Sequence, residues 1–247
     1  MLQLLEEVSV LNNSTIKIRI KFAKRGSLKF VGHLDIMRYF QKLIRRAGID
    51  IAYSEGFNPH QKISFAQPLG VGMLSEGEYV DLEVKSTFSS EEAIKRMNDA
   101  NVEDLEILSY RKLSENAGNA MASVAAADYE IAFRDGYKPS CFDFYKSFSE
   151  FFNSNNEITV LKETKKSQIE MNIKPFIYEY SGDSERIVLK LSCGSVTNIK
   201  PELVMEAFFK YLNIELSPFT FIYTRLDVYG QDESGEFIPL ESFGEDI

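Results

Sequence analysis

Residues 15–22 read TIKIRIKF, and residues 34–48 read LDIMRYFQKLIRRAG. The first stretch alternates apolar residues with lysine and arginine, a period of two that predicts a strand with one buried face and one basic face. The second stretch places its apolar residues on one arc of a helical wheel, namely Ile36, Phe40, Leu43, Ile44 and Ala47. Gly48 follows as a helix stop signal. These patterns predict a strand followed by an amphipathic helix.

The rest of the chain predicts the order strand, helix, two strands, helix, strand, and then the same order a second time. The predicted fold class is therefore α+β, with two tandem ferredoxin-like (βαββαβ) units that have antiparallel sheets. The predicted boundaries are 15–113 for the first unit, 114–127 for a connector, 128–230 for the second unit and 231–247 for an acidic tail. The tail has six acidic residues and no basic one, which is typical of a solvated segment.

Three local predictions depend on particular residues. A short strand is expected at Ile49–Tyr53, directly after the first helix. A second amphipathic helix is expected over Ser140–Phe152. Pro175 has no N–H group to donate, so Ile173–Tyr180 should be an edge strand or should begin after the proline.

The composition is that of a globular protein, with 44% hydrophobic and 26% charged residues. No apolar run approaches the roughly 18 residues that a membrane-spanning helix needs. Glu6 and Glu7 interrupt Leu2–Val8, where a signal peptide would be apolar. We therefore expect a cytoplasmic protein with no membrane partner. Cys141 and Cys193 have no disulfide or zinc-site spacing, so two buried free thiols are expected.

Charge is distributed unevenly along the chain. The net charge is -9, yet residues 15–70 contain eleven Lys and Arg against three acids, which leaves about -17 for the remainder. An overall negative charge disfavours sequence-independent binding of nucleic acid, because that affinity comes from neutralising phosphates. No DNA partner is expected, and any anionic ligand should bind the basic region.

The first predicted helix carries a basic stripe opposite its apolar arc, formed by Arg38, Lys42, Arg45 and Arg46. One interpretation is a solvated face whose charges only confer solubility. The other is a binding surface for RNA or for an acidic patch on a partner protein. Charge alone does not separate these partners. Recognition of single-stranded RNA on an open sheet is disfavoured, because the outward residues Asp81 and Glu83 have the wrong sign.

The segment from Tyr53 to Ser64 is the second candidate site, because it is rich in hydrogen-bonding side chains. Its candidate ligand-binding residues are Tyr53, Ser54, Asn58, His60, Lys62 and Ser64. The alternative is that Gly56, Asn58 and Pro59 only build turns, which His60 would pin in place.

A catalytic role has three candidates, His60, His33 and Asp35. A structural role for His33 is the alternative, since it lies near the apolar arc of the helix, and Asp35 suits the positive helix end. No metal site is predicted, because two histidines and two distant cysteines form no ligand motif. No P-loop, dinucleotide fingerprint or nucleophile elbow occurs, so no cofactor is expected.

Four motifs lie within the first predicted unit: GHLD at 32–35, RRAG at 45–48, YSEGFNPHQKISFAQPL at 53–69 and GEY at 77–79. They resemble the radical-SAM-linked protein family, a bacterial domain of unknown function found beside or fused to cobalamin-binding radical-SAM proteins. Weaker similarity at 173–177 and 200–202 extends the resemblance into the second unit. Family members commonly have Ser at the position of Gly32 and Pro or Lys at that of Gln61.

The resemblance implies association with a radical-SAM partner and a link to RNA or ribosome maturation, without an established reaction. The chain lacks the CxxxCxxC triad that would hold a radical-SAM iron–sulfur cluster, so it would be the accessory protein. Our leading hypothesis is a non-catalytic protein that binds an anionic ligand through its first unit. The alternative is an enzyme acting on a nucleotide or small anionic substrate, with His60 and His33 as acid and base.

Overall fold

The computed structural model describes residues 15–140, 142–163 and 168–247. Cys141 and the N-terminal stretch Leu2–Val8, which entered two of the expectations above, lie outside these ranges. The described residues form a mixed sheet of ten strands, a separate two-stranded hairpin and several helices, which confirms the α+β class. No helix in the described ranges is both long and apolar enough to cross a membrane.

The first half of the chain contributes four neighbouring strands and two helices. They are β1 (Ile16–Lys24), α1 (His33–Arg46), β2 (Ile63–Phe65), β3 (Leu74–Val84), α2 (Ser90–Asp99) and β4 (Leu105–Leu113). The strand order is β4-β1-β3-β2, and neighbouring strands are antiparallel. The strand predicted at 49–53 is reduced to isolated bridges at Ile51 and Tyr53, because Ala52 exchanges only single backbone bonds with Glu83 and Lys62.

The second half repeats this strand order and adds a hairpin. Its elements are α3 (Ala120–Ser123), β5 (Ala126–Phe133), α4 (Phe144–Ser154), β6 (Thr159–Glu163), β7 (Gln168–Asn172), β8 (Ile177–Gly182), β9 (Arg186–Ser192), α5 (Pro201–Tyr211) and β10 (Phe221–Gln231). The strand order is β10-β5-β9-β8, and among the described residues β6 pairs only with β7.

Two local predictions for the second half have clear outcomes. β8 is an edge strand and begins at Ile177, after a 3-10 turn that contains Pro175, as predicted. α4 begins at Phe144 rather than Ser140, because the Asp143 carboxylate accepts a hydrogen bond from the Lys146 N–H at 2.9 Å and caps the helix there.

The two halves share one sheet because β3 pairs with β10. This pairing is parallel and joins Leu74 to Thr224 and Ser75 to Arg225. The sheet is therefore single and mixed, instead of the two separate antiparallel sheets expected from the sequence. Gly77 permits the close approach, since a Cβ atom at this position would lie 2.6 Å from the Leu226 carbonyl oxygen.

We expect Gly77→Ala to lower the free energy of unfolding by about 1–3 kcal/mol, because the added methyl group pushes β3 away from the β10 backbone. Urea denaturation measures this change. Gly70→Ala is the matched control, because its nearest neighbour is the Met73 sulfur at an ordinary 3.6 Å, and the control should change stability by no more than about 0.5 kcal/mol. Equal stability of the two variants would contradict the tight β3–β10 contact.

The acidic C-terminal segment folds back onto the first half, which corrects the expectation of a solvated tail. β11 (Phe237–Pro239) pairs with β10, and β12 (Gly244–Glu245) pairs with β4. Leu240 is fully buried between them, and Glu241 lies 2.7 Å from the Lys21 ammonium. The apolar residues between the acids, such as Leu240, are buried against the protein. This burial stabilises the folded-back segment, and a purely charged tail could not provide it.

The sheet of the first half has an apolar face and a charged face. α1 and α2 cover the apolar face, where Ile18, Ile20 and Phe22 of β1 lie in the core. The opposite face presents Arg19 and Lys21, which form ion pairs with Asp81 and with Asp227 and Glu241. The connector and the C-terminal segment cover part of this face, since Gly118 and Leu240 accept hydrogen bonds from Arg19. The strands of the first half thus send most of their apolar side chains towards α1 and α2 and most of their charged side chains to the opposite face of the sheet.

Candidate functional site

α1 presents all four predicted basic residues, Arg38, Lys42, Arg45 and Arg46, to solvent. The Arg38 guanidinium lies 3.3 Å from the Asp35 carboxylate, one turn away. Arg45 donates from Nε to the Gln41 carbonyl oxygen at 3.2 Å. Arg46 donates to the Ala100 carbonyl oxygen at 3.2 Å and lies over the Tyr39 ring. These contacts hold Arg45 and Arg46 against the surface without neutralising their charge.

The loop of residues 53–60 lies beside this helix and is closed by hydrogen bonds. The Ser54 hydroxyl lies 2.8 Å from His60 Nδ1 and accepts a bond from the His60 N–H at 3.1 Å, while the Ser54 N–H donates to the His60 carbonyl oxygen. Gln61, at the base of the loop, donates to the Gln41 carbonyl oxygen at 3.3 Å, the same atom that Arg45 contacts. The loop base and Arg45 are therefore direct neighbours.

The loop surface is exposed around this closure. Tyr53, Asn58 and His60 are exposed, and the Phe57 ring is fully accessible to solvent. His60 thus closes the loop, which is the structural role considered above, and part of its ring stays exposed for contact with a ligand. Both roles predicted for the loop are compatible with this geometry.

Lys62 and Ser64 lie on the charged face of the sheet rather than beside α1. They line a cavity of about 240 Å³ together with Lys17, Glu83 and Asn119. The Lys62 ammonium lies 2.7 Å from the Glu83 carboxylate, and this contact, followed by a hydrogen bond from Thr15, lowers the pKa of Glu83. The ten predicted ligand-binding residues therefore form two groups, because the side chains of a strand alternate between the two faces of its sheet.

Ion pairs neutralise much of the basic region within the protein. Arg19, Lys21, Arg25, Arg38 and Lys62 each contact a carboxylate. Lys42, Arg45 and Arg46, by contrast, have no carboxylate within 4 Å among the described residues. Three exposed cations without a carboxylate partner in the described ranges therefore lie together at the C-terminal end of α1.

His33 and Asp35 lie at the other end of α1 and do not meet His60. The His33 ring packs edge-on against Phe65, with 5.2 Å between ring centroids, and lines a small cavity with Lys24 and Glu78. Burial lowers the pKa of His33, and the charge of Lys24 lowers it further. His60 is exposed on its loop and shares no cavity with His33 in the described part of the chain. This arrangement does not favour an acid–base pair formed by the two histidines.

A buried polar cluster at the β3–β10 junction was not anticipated from the sequence. Arg225 makes a bidentate contact with Glu78, and the side chains are only 2% and 8% exposed. Ser75 donates a further hydrogen bond to Glu78 at 2.7 Å. In the sequence, Glu78 was singled out only by its position in the GEY motif. Nothing in the residues next to Arg225 in the sequence predicts that it is buried.

Across the described ranges, no group of three or more His, Cys, Asp and Glu residues is arranged to hold a metal ion. Cys193 is buried and unpaired with another cysteine, as expected, and burial raises the pKa of its thiol. A thiol of this kind is a poor ligand and a poor nucleophile.

The comparisons with known proteins give one clear result. The chain matches no curated protein. A family model described as "Uncharacterized protein conserved in bacteria", DUF2344, matches residues 17–201. The match spans three quarters of the chain and includes α1, the loop of residues 53–60 and the Lys24–Glu78 cavity. The chain therefore belongs to DUF2344, a family of uncharacterised proteins conserved in bacteria.

Proposed function

We propose that this chain is a non-catalytic accessory protein that binds an acidic surface of a partner protein through α1 and the loop of residues 53–60. The observation that carries the proposal is that Lys42, Arg45 and Arg46 lie together at one helix end, exposed and without carboxylate partners in the described part of the chain. The helix dipole favours Arg45 and Arg46 in the last turn, and their charge, together with that of Lys42, would attract an acidic surface of a partner.

The neighbouring loop supports an interface rather than a purely electrostatic contact. Phe57 is fully exposed on the loop whose base contacts α1 through Gln61, and interface hot spots commonly combine aromatic side chains with arginine. The loop is closed by the Ser54–His60 bonds, which reduces the ordering cost of binding.

A partner protein explains this surface better than RNA does. RNA affinity increases with the number of phosphates neutralised, and this surface offers few unpaired cations on a protein whose net charge is -9. The resemblance to the radical-SAM-linked family makes a radical-SAM protein the proposed partner, in the cytoplasm, with RNA or ribosome maturation as the process served. RNA itself is the alternative ligand that the experiment must distinguish.

The fold that carries this surface is proposed to be a tandem pair of ferredoxin-like units. The support is that β4-β1-β3-β2 and β10-β5-β9-β8 have the same order relative to the chain in each half. In this interpretation the β3–β10 pairing fuses two such units edge to edge and leaves α1 on the outside of the first.

The test is a triple charge reversal, Arg38→Glu, Lys42→Glu and Arg45→Glu, in the full chain. Affinity purification from native cells should recover a radical-SAM protein with the wild type, and the variant should recover at least about tenfold less, because reversed charges repel an acidic partner. The matched control is Lys146→Glu, Lys200→Glu and Lys210→Glu, which changes the net charge equally on exposed residues of the second half.

The recovered material separates the two ligand classes. A radical-SAM protein that is lost with the α1 variant and kept with the control supports the proposal. If RNA is recovered without such a protein, and is lost with the α1 variant but kept with the control, the ligand of α1 is RNA and not a partner protein. Equal recovery by all three proteins would show that α1 is a solvated face.

A further inference from the structure

A narrow slot opens between β1, the N-terminal end of α1 and the segment that follows β2. Its cavity measures about 20 Å³ and is lined by Lys24, His33, Phe65, Gln67, Leu69 and Glu78. A cavity of this size accommodates about one or two water-sized groups. The slot can therefore accept the end group of a ligand but not a whole ligand.

Lys24 forms the charged part of this slot and is unusually placed for a lysine. The residue is only 3% exposed, and its ammonium group has one hydrogen bond, to the Val31 carbonyl oxygen at 3.3 Å. In the described ranges no carboxylate lies within 4 Å of it. Both oxygens of the nearby Glu78 carboxylate are already bonded to Arg225. Burial lowers the pKa of Lys24. The charge of Glu78 partly opposes this shift, and the charge of Arg225 adds to it.

The two buried arginines show how this fold normally treats a buried cation. Arg19 and Arg225 are each 1% exposed, and each makes a bidentate contact with a carboxylate, Asp81 and Glu78 respectively. Lys24 lacks such a partner, although a buried charge without one costs free energy. A cost of this kind is typical of a functional site.

Three exposed apolar residues lie one or two positions along the chain from Val31, His33 and Leu69, which line the slot. Phe30, Leu34 and Val71 are exposed by 68%, 68% and 66%. A hydrogen bond of 2.7 Å from the Gly72 N–H to the Lys29 carbonyl oxygen holds the Val71 turn against the Phe30 segment. The N-terminus of α1 begins at the same place, with Gly32 as its N-cap, and adds partial positive charge.

We propose that this slot binds a carboxylate attached to an apolar body. Lys24 would receive the carboxylate, and Phe30, Leu34 and Val71 would contact the apolar part. A phosphate group is disfavoured, because it is larger than a carboxylate and its double charge would be repelled more strongly by Glu78, which lines the same slot. The sources of such a ligand are a small organic acid and the carboxyl end of an apolar peptide.

This site is separate from the surface of the proposed function. His33 precedes Lys42 and Arg46 by nine and thirteen positions in α1, which is roughly 14–20 Å along the helix axis. The proposal for the slot can therefore hold even if the proposal for the α1 surface fails, and the reverse is also true.

The experiment is a titration of the ¹⁵N-labelled full chain with acetate and with hexanoate, followed by amide NMR shifts. Hexanoate should shift the amides of residues 31–34, 67 and 69–72 and bind at least tenfold more tightly than acetate, since each buried methylene is worth about fourfold. Lys24→Met should weaken hexanoate binding at least tenfold. The control Lys85→Met removes an exposed lysine on the same half and should change nothing.

Stability gives a second readout that a purely structural lysine would not produce. Lys24→Met removes an unpaired buried charge, so its melting temperature should equal or exceed that of the wild type. Leu34→Ser provides an independent variant on an exposed residue, and it should weaken hexanoate but leave acetate unchanged.

Two further probes identify the source of the ligand, namely the peptide Leu-Val-Leu with a free carboxyl group and the same peptide as its amide. Tighter binding of the free acid than of hexanoate indicates a peptide end, and weaker binding indicates a small organic acid. Binding of the amide as tight as that of the acid would overturn the proposal. Hexanoate affinity that is unchanged in Lys24→Met, or absent in the wild type, would overturn it as well.

Discussion

Glu78→Gln is expected to lower the free energy of unfolding by about 3–5 kcal/mol, because it removes the charge that compensates a fully buried arginine. Glu78 and Arg225 are 8% and 2% exposed in their side chains, so water does not screen their interaction. Lys24 is also buried nearby, and the charge of Glu78 favours its protonated form, so the variant would leave this second cation less compensated as well. Glutamine keeps the shape of the side chain, so the loss measures charge rather than packing.

Urea denaturation at pH 7 measures this change. The control Glu130→Gln alters a partly exposed ion pair with Arg186 on the same sheet, whose side chains are 27% and 57% exposed, and should cost no more than about 1 kcal/mol. The double variant Glu78→Gln, Arg225→Met should be more stable than Glu78→Gln alone, since it removes the uncompensated arginine. Equal losses in Glu78→Gln and Glu130→Gln would mean that the junction is open to water.

The elements that sequence periodicity predicted well are those with a local cause. β1 alternates strictly and α1 has a single apolar arc, so each pattern admits one secondary structure. The β3–β10 pairing has no such local cause. It joins Ser75 to Arg225, 150 positions apart, and depends on a close approach at Gly77 that no period in the sequence reports. The single mixed sheet was therefore not predicted.

The candidate site shows the same division. The basic residues of α1 were predicted as one exposed group, because helical spacing alone determines which side chains share a face. Lys62 and Ser64 were predicted with the Tyr53–Ser64 segment, but they lie on the charged face of the sheet. Which face they reach depends on how β2 is placed in the sheet, and helical or loop spacing does not report that placement. The ion pairs that neutralise Arg19 and Lys21 also depend on the register of distant strands and were beyond prediction from charge counts.

Asp81→Ala is the second change for which we expect a large loss of stability, about 3–5 kcal/mol. Arg19 is 1% exposed, and its guanidinium contacts both oxygens of Asp81, at 2.8 Å and 2.9 Å. The same carboxylate accepts a hydrogen bond from the Ala120 N–H at 2.6 Å. Among the described residues, the variant therefore leaves the buried guanidinium with only the Leu240 and Gly118 carbonyl oxygens as partners.

The matched control for this change is Glu83→Ala, two residues further along the same strand and on the same face. Its ion pair with Lys62 is 34% and 38% exposed, so we expect a loss of no more than about 1 kcal/mol by urea denaturation. Hydrogen exchange adds a spatial test, because Asp81→Ala should reduce amide protection at Ala120 and along the C-terminal segment, and Glu83→Ala should not. If Asp81→Ala destabilised the protein without changing that protection, Arg19 would not be what holds the connector and the C-terminal segment against the sheet.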